Sequence, residues 1–96
     1  MALPDGLLND VKNYLDITWT DESTDKKVTG IIERGMNFLS RKSGKELDFI
    51  IEGLPKELLL EYCRYARNGI LNEFLVNFIP FLEDLRGGAY GQSTDV

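Results

Sequence analysis

The residues of this chain that could do chemistry are few, because it contains no histidine and a single cysteine, Cys63. Histidine is the usual general base, the usual activator of a serine or cysteine nucleophile, and the commonest zinc ligand. Cys63 lies among apolar residues of a predicted helix, so we interpret it as a buried structural thiol. No glycine-rich phosphate-binding motif occurs. We therefore expect no enzyme activity, no cofactor and no catalytic residue.

Acidic residues are grouped at Asp21, Glu22 and Asp25, and again at Glu83 and Asp84. The first group lacks the ligand spacing of a calcium-binding loop, and residues of this kind commonly cap the start of a helix. Glu83 and Asp84 are adjacent on a predicted helix, so their side chains point in different directions. We expect helix capping here and no metal site.

Basic and aromatic residues are mixed on one predicted helix, where Arg64 and Arg67 lie among Tyr62 and Tyr65. Such a stripe could bind nucleic acid. However, the formal net charge of -5 argues against a domain that grips phosphates. Pairing of the arginines with nearby glutamates is the preferred interpretation. Trp19 has two open interpretations: it anchors a partner, or it covers the core of its own domain.

The composition describes one small globular domain. The chain has 96 residues, of which 43% are hydrophobic and 28% charged. One cysteine allows no internal disulfide, which suits a reducing cytoplasm. Residues 1–10 lack the basic start and apolar run of a signal peptide, and no stretch approaches the roughly 20 apolar residues that span a bilayer. We expect no membrane association.

Apolar residues recur with helical spacing over most of the chain, which predicts an all-α fold: a small bundle of three main helices plus a short C-terminal helix. Ser43 and Gly44, Pro55, and Pro80 mark predicted interruptions. The predicted helices cover residues 3–15, 21–42, 55–76 and 80–86. The third is apolar on more than one side, so we expect it to be central or to lie at a subunit interface.

The shared helical stripes predict the core. Gly35 lies on the apolar face of the second helix, where a close approach by another helix would explain it. The connector between the second and third helices is too apolar for a free loop, so we expect Leu47, Phe49, Ile50 and Ile51 to pack over the core. In the last helix Phe81, Leu82 and Leu85 should point inward. The residues expected to be buried on the main helices are Leu8, Val11, Ile32, Leu39, Leu59, Tyr62, Ala66 and Ile70.

Three segments together resemble the head–tail connector (neck adaptor) proteins of tailed bacteriophages. Residues 7–17 resemble the opening family pattern LL-x-x-V-K-x-Y-L-x-I. Residues 58–68, with the sequence LLLEYCRYARN, are similar to the long third helix of the family. Residues 81–86, FLEDLR, resemble its closing L-x-x-L-R helix. The resemblance rests on the order and spacing of these motifs over nearly the whole chain.

The resemblance implies a structural role. Family members form a ring, typically dodecameric, under the portal protein, which extends the DNA channel and offers a platform to the next neck or head-completion protein. It implies self-association in the virion neck, assembly in the host bacterial cytoplasm, and DNA passing through without specific binding. It implies no catalytic residue. The alternative is a cytosolic helical protein–protein interaction module or small regulator.

We divide the chain into a helical domain, residues 1–88, and a polar C-terminal tail, residues 89–96, expected to be flexible when unbound. The tail and the glycine pair before it are the expected portal-docking segment, and Arg86 could pair with an acidic rim on the partner. The Trp19 loop is the next place to look. The expected partner-binding residues are thus Trp19, Arg86, Gly87, Gly88 and Tyr90.

Overall fold

The computed structural model describes residues 3–87, which form five helices and no strand, so the predicted all-α fold is confirmed. Short connections join consecutive helices, and the longest of them, between α2 and α3, spans residues 44–53. The helices are α1 (Leu7–Tyr14), α2 (Glu22–Ser43), α3 (Leu54–Arg67), α4 (Leu71–Asn77) and α5 (Ile79–Gly87).

The first helix is shorter than predicted. Residues 3–6 were expected to be helical, but Leu7 N–H donates to the Pro4 carbonyl oxygen at 3.1 Å and closes a turn before α1. Gly6 has φ 84° and ψ -12°, which are the values of the third residue of a type II turn. Glycine at this position favours that turn over a first helical turn, which explains the later start.

The second helix matches its prediction. Asp21 is the N-cap residue, with its Oδ2 atom accepting from Thr24 N–H at 2.9 Å and from the Thr24 hydroxyl at 2.9 Å. The helix ends before Gly44, whose N–H donates to the Ser40 carbonyl oxygen at 2.9 Å. Both ends were recognisable because cap residues flank an unbroken amphipathic pattern.

The predicted third helix, residues 55–76, is two helices, and its single-helix assignment is wrong. Gly69 has φ 75°, a left-handed conformation that glycine adopts at low cost and that ends α3. Ile70 N–H donates to the Tyr65 carbonyl oxygen at 3.0 Å, and Gly69 N–H donates to that of Ala66 at 3.1 Å. This pair of bonds is a Schellman cap. The chain therefore turns sharply before α4.

The break near Pro80 is confirmed. α4 ends at Asn77, and α5 begins at Ile79 with Pro80 in its first turn, where no amide donor is required. Leu82 N–H donates to the Phe78 carbonyl oxygen at 2.9 Å, so Phe78, between the two helices, accepts the first backbone hydrogen bond of α5.

α3 is the central helix, because it packs against each of the other four. Its main partner is α2, and the two approach closely at Gly35. A Cβ atom added at Gly35 would lie 2.8 Å from Leu59 Cδ1 and 2.8 Å from Tyr62 Cδ1, so the interpretation of Gly35 as a close-approach position is confirmed. A group of aromatic rings that includes Tyr62, Phe74 and Phe78 fills the space where α3 meets α4.

The core prediction is largely confirmed. Among the eight expected core residues, Leu8 and Ala66 are half-buried. Ile70 was expected to be buried but is 37% exposed, because the cap at Gly69 removes it from the stripe of α3. The expected residues that are buried are Val11, Ile32, Leu39, Leu59 and Tyr62.

The connector between α2 and α3 covers the core only in part. Phe49 is buried and Leu47 is half-buried, as expected. Ile50 and Ile51 are 40% and 63% exposed, so their predicted burial is wrong. Asp48 Oδ1 accepts from the N–H groups of both isoleucines, at 2.8 and 3.3 Å. This local turn directs Phe49 inward and the two isoleucines outward.

Two nearly buried lysines hold α1 in place. Lys12 Nζ lies 2.7 Å from Asp25 Oδ1, which joins α1 to the start of α2. Lys56 Nζ lies 3.1 Å from Asp10 Oδ2 and 3.1 Å from Glu52 Oε2, which joins α1 to α3. The hydrogen bonds that the Lys56 ammonium group donates to these carboxylates raise the pKa of Lys56. Each of the two nearly buried ammonium groups is therefore paired with at least one carboxylate, which offsets the cost of removing its charge from water.

Candidate partner-binding surface

Cys63 is a buried structural thiol, as the sequence predicted. Its side chain has no solvent exposure, and burial raises the pKa of the thiol to about 12. The thiolate is the nucleophilic form of cysteine, so this thiol is inert at neutral pH.

The acidic group at residues 21–25 caps the start of α2, as expected, and also forms an ion pair with α1. Asp21 is the N-cap, and its hydrogen bonds from Thr24 lower the pKa of the Asp21 carboxyl. Asp25 pairs with Lys12. Across residues 3–87 no cluster of three or more histidine, cysteine, aspartate or glutamate side chains could hold a metal ion.

The basic and aromatic residues of α3 do not form one exposed stripe. Tyr62 is buried, where desolvation raises the pKa of its hydroxyl group. Arg64 Nη2 lies 2.6 Å from Glu61 Oε1, which confirms the predicted pairing of Arg64 with a nearby glutamate. The Arg64 guanidinium also lies over the Tyr65 ring, 5.1 Å from its centroid. Arg67 is exposed at the end of the helix.

The expected partner-binding residues are spread over two regions. Trp19 is 49% exposed in the loop before α2, and its indole N–H donates to the Thr24 hydroxyl at 3.4 Å. Arg86 is exposed in the last turn of α5, and Gly87 is the last residue of that helix. Gly88, Tyr90 and the rest of the expected docking tail lie outside the described residues.

The sequence analysis missed an exposed apolar surface where α4 turns into α5. We call it the α4–α5 corner and define it by Leu75, Val76, Ile79 and Phe81, which are 42%, 69%, 51% and 46% exposed. The predicted inward orientation of Phe81 is wrong, whereas Leu82 and Leu85 are buried as expected. Helical spacing places Phe81 on the same side of α5 as Leu85, four residues later, so spacing alone does not account for the exposure of Phe81.

The α4–α5 corner is supported by a packed group of aromatic rings. Phe74 of α4 is fully buried, and its ring stacks on Phe78 with centroids 4.9 Å apart. Phe78 in turn contacts Tyr65 of α3 and Phe81 of α5, at 5.7 and 5.8 Å between ring centroids. The exposed side chains are therefore held on packed helices rather than on a free loop, as a preformed binding surface requires.

An apolar groove lies between α3 and the start of α5, next to the corner. We call it the α3–α5 groove; it is about 360 Å³ in volume. Its apolar walls are Leu54, Leu58, Leu60, Phe78 and Phe81, and its polar residues are Tyr14, Glu57 and Glu61.

Two glutamates of α3, Glu57 and Glu61, make one edge of the α3–α5 groove acidic. Glu61 is engaged, because it accepts a hydrogen bond from the Tyr14 hydroxyl and pairs with Arg64. The side chain of Glu57, one turn earlier on α3, is exposed and makes no hydrogen bond or ion pair with any residue of the described range. A sequence feature that could have indicated this region is the run from residue 75 to 81, LVNFIPF, which carries no charge.

The features that stand out are a preformed apolar corner and a groove beside it, which are typical of protein-binding surfaces. Among the described helices, none is long and apolar enough to cross a membrane. No protein-family model, no curated protein and no solved structure gives a significant match to this chain.

Proposed function

We propose that this chain is a structural head–tail connector, or neck adaptor, of a tailed bacteriophage or prophage. In this role it forms a ring under the portal protein, extends the DNA channel and links the head to the next neck protein. The observation that supports a binding role is the uncovered apolar surface of the α4–α5 corner. The ordered resemblance of residues 7–17, 58–68 and 81–86 to the connector family favours this particular role.

The physical properties of the domain suit a ring subunit. A small domain that leaves a preformed apolar corner uncovered gains stability when a neighbour covers it. The net charge of -5 suits a conduit wall, because a basic wall would hold the DNA phosphates and slow their passage. The proposal contains no catalytic step, no cofactor and no metal.

Within this proposal, the partners are the portal protein, the downstream neck or head-completion protein, and further copies of the chain. The proposed location is the virion neck, after assembly in the host cytoplasm. The proposed portal-docking elements remain Arg86, Gly87 and the tail that includes Gly88 and Tyr90, with the Trp19 loop as the second candidate.

The experiment is to locate the chain in purified phage particles from the strain that carries the gene. An epitope tag is inserted after residue 96 and marked with gold-conjugated antibody, and the particles are viewed by electron microscopy. The proposal predicts labels at the junction of head and tail. A regulator or cytosolic interaction module would be absent from purified particles, and that result, or a label elsewhere on the particle, would refute the proposal.

A further inference from the structure

The end of the domain where α2 begins and α3 ends is basic and partly apolar. Lys27 and Ile31 of α2 line a surface depression together with Arg67 of α3. Ile70, three residues after Arg67, is 37% exposed. The side chains of Lys27 and Arg67 are exposed and make no hydrogen bond or ion pair with any residue of the described range. We call this surface the α2–α3 end and define it by Lys27, Ile31, Arg67 and Ile70.

The α3–α5 groove lies toward the other end of α3 and carries the opposite charge. Glu57 at its edge precedes Arg67 in the same helix by roughly 15 Å along the axis. No lysine or arginine lines the groove, and no acidic residue lines the depression beside Arg67. Each surface thus combines apolar side chains with a charge that the rest of residues 3–87 leaves unpaired.

The presence of both surfaces on one chain indicates which occupant fits the groove. The chain as a whole has a net charge of -5, so two copies repel each other unless they meet through surfaces of opposite charge. The α2–α3 end and the groove are such surfaces. Because they are different patches toward different ends of α3, a contact between them is head-to-tail. Repetition of a head-to-tail contact closes a ring or extends a filament.

We propose that the α3–α5 groove of one copy binds the α2–α3 end of a second copy. Ile70 enters the groove between Leu60 and Phe81, and Arg67 pairs with Glu57. Burial of the apolar side chains supplies most of the attraction, since exposed ion pairs contribute little, and the ion pair selects the orientation. The proposal deepens the proposed function, on which closure into a ring rests, by assigning the two surfaces that meet between copies.

Charge exchange tests the contact, with self-association of the full chain measured by sedimentation equilibrium at low salt. Glu57→Lys and Arg67→Glu should each weaken self-association by about threefold or more, because each brings like charges together. The chain that carries both substitutions should associate as the wild type does, since the exchanged charges attract again. Glu83→Lys, an equal charge reversal on an exposed residue that lines neither surface, is the matched control and should leave self-association unchanged.

Engineered cysteines distinguish a head-to-tail contact from a symmetric one. Cys63 is buried, so the introduced surface thiols are the reactive ones. When Glu57→Cys chains are mixed with Arg67→Cys chains and oxidised, disulfides between positions 57 and 67 should exceed those between like positions. Within one chain these two positions are too far apart for a disulfide. A chain with both substitutions should therefore form a ladder of dimers, trimers and larger species.

A measurement on the unaltered chain covers the case in which a variant fails to fold. Its backbone amide chemical shifts should change with protein concentration around both Phe81 and Ile70. Absence of self-association, no rescue by the double charge exchange, an excess of disulfides between like positions, or shift changes confined to another surface would overturn the inference. The proposed function is decided separately, because gold labels at the junction of head and tail would uphold it even if this contact fails, and their absence would refute it even if the contact is found.

Discussion

The close packing of α2 on α3 at Gly35 depends on the absence of a Cβ atom at that residue. A methyl group there would meet the rigid ring of Tyr62 and a methyl group of Leu59, both at 2.8 Å. Overpacking of this kind costs about 1–3 kcal/mol. We expect Gly35→Ala to lower the free energy of unfolding by that amount, measured by urea denaturation.

Gly30→Ala is the matched control, because it makes the same change in the same helix. A Cβ atom there would meet only Arg34 Nη1, at 3.4 Å, an ordinary contact. Alanine favours a helix over glycine by up to about 1 kcal/mol, so this variant should be as stable as the wild type or more so. Equal effects of the two substitutions would show that α2 and α3 do not approach at Gly35.

The Asp21 cap makes the stability of the domain dependent on pH. Hydrogen bonds from the Thr24 N–H and hydroxyl groups lower the pKa of the Asp21 carboxyl below its ordinary value of 3.8. A carboxyl whose pKa is lower in the folded state stabilises that state above its unfolded pKa and loses this contribution as the pH falls through the folded value. Asp21→Ala should therefore be less stable than wild type at neutral pH, and the difference should shrink in acid.

The measurement is chemical denaturation of both proteins between about pH 7 and pH 2, which spans the ordinary aspartate pKa. Asp21→Asn keeps a capping oxygen without the charge, so it separates the hydrogen bond from the electrostatic part. A wild-type advantage over Asp21→Ala that stays constant down to pH 2 would contradict the assigned role of the carboxylate.

At the scale of the helices, α1 ends with an aspartate in a conformation that favours glycine. Asp16 has φ 61°, and Ile17 N–H donates to the Lys12 carbonyl oxygen at 2.9 Å to complete a Schellman cap. We expect Asp16→Gly to raise the free energy of unfolding by about 0.5–1 kcal/mol, because it removes the strain of a side chain in the left-handed region. Calorimetry would show this as a higher melting temperature.

Asn13→Gly is the control for Asp16→Gly, since it introduces glycine three residues earlier on an exposed position inside α1. There the backbone is helical, so glycine should cost about 0.5–1 kcal/mol. A loss of stability in both variants would show that α1 continues past Tyr14.

The helices differ in how far the sequence could predict them. Both ends of α2 were predictable, because Asp21 and Gly44 flank one apolar pattern. The end of α3 was missed although Asn68 and Gly69 are a common stop, because the apolar spacing continues past them into Phe74. The left-handed conformation of Gly69 ends α3 even though the helical spacing of apolar residues continues beyond it. Pro80 was interpreted correctly because its missing amide and its ring exclude the interior of a helix.

The proposed docking tail can be tested as a segment. Truncation after Gly87 removes residues 88–96 and leaves α5 intact, so circular dichroism and the melting temperature should match those of the full chain. In phage production we expect the truncated chain to yield heads that fail to join tails, because the proposal places portal docking in this segment. Normal joining would move the docking role elsewhere, and Trp19→Ala would then be the next variant to assay.

At the scale of the whole molecule, the candidate binding surface was harder to predict than the fold. Periodicity shows which residues share a face of a helix, but not whether a neighbouring element covers that face. Phe81 lies four residues before the buried Leu85 and so shares the spacing of an inward residue, yet it is 46% exposed. The groove also depends on Leu54 and Phe78, which are distant in sequence and meet only in the folded domain.

The central claim is that this chain joins heads to tails, and deletion of its gene tests that claim most directly. The phage or prophage that carries the deletion is induced, and its particles are examined by electron microscopy beside a strain complemented with the wild-type gene. The account predicts DNA-filled heads and free tails that accumulate separately, with tailed particles restored by complementation. Normal tailed, infectious particles from the deletion strain would contradict it.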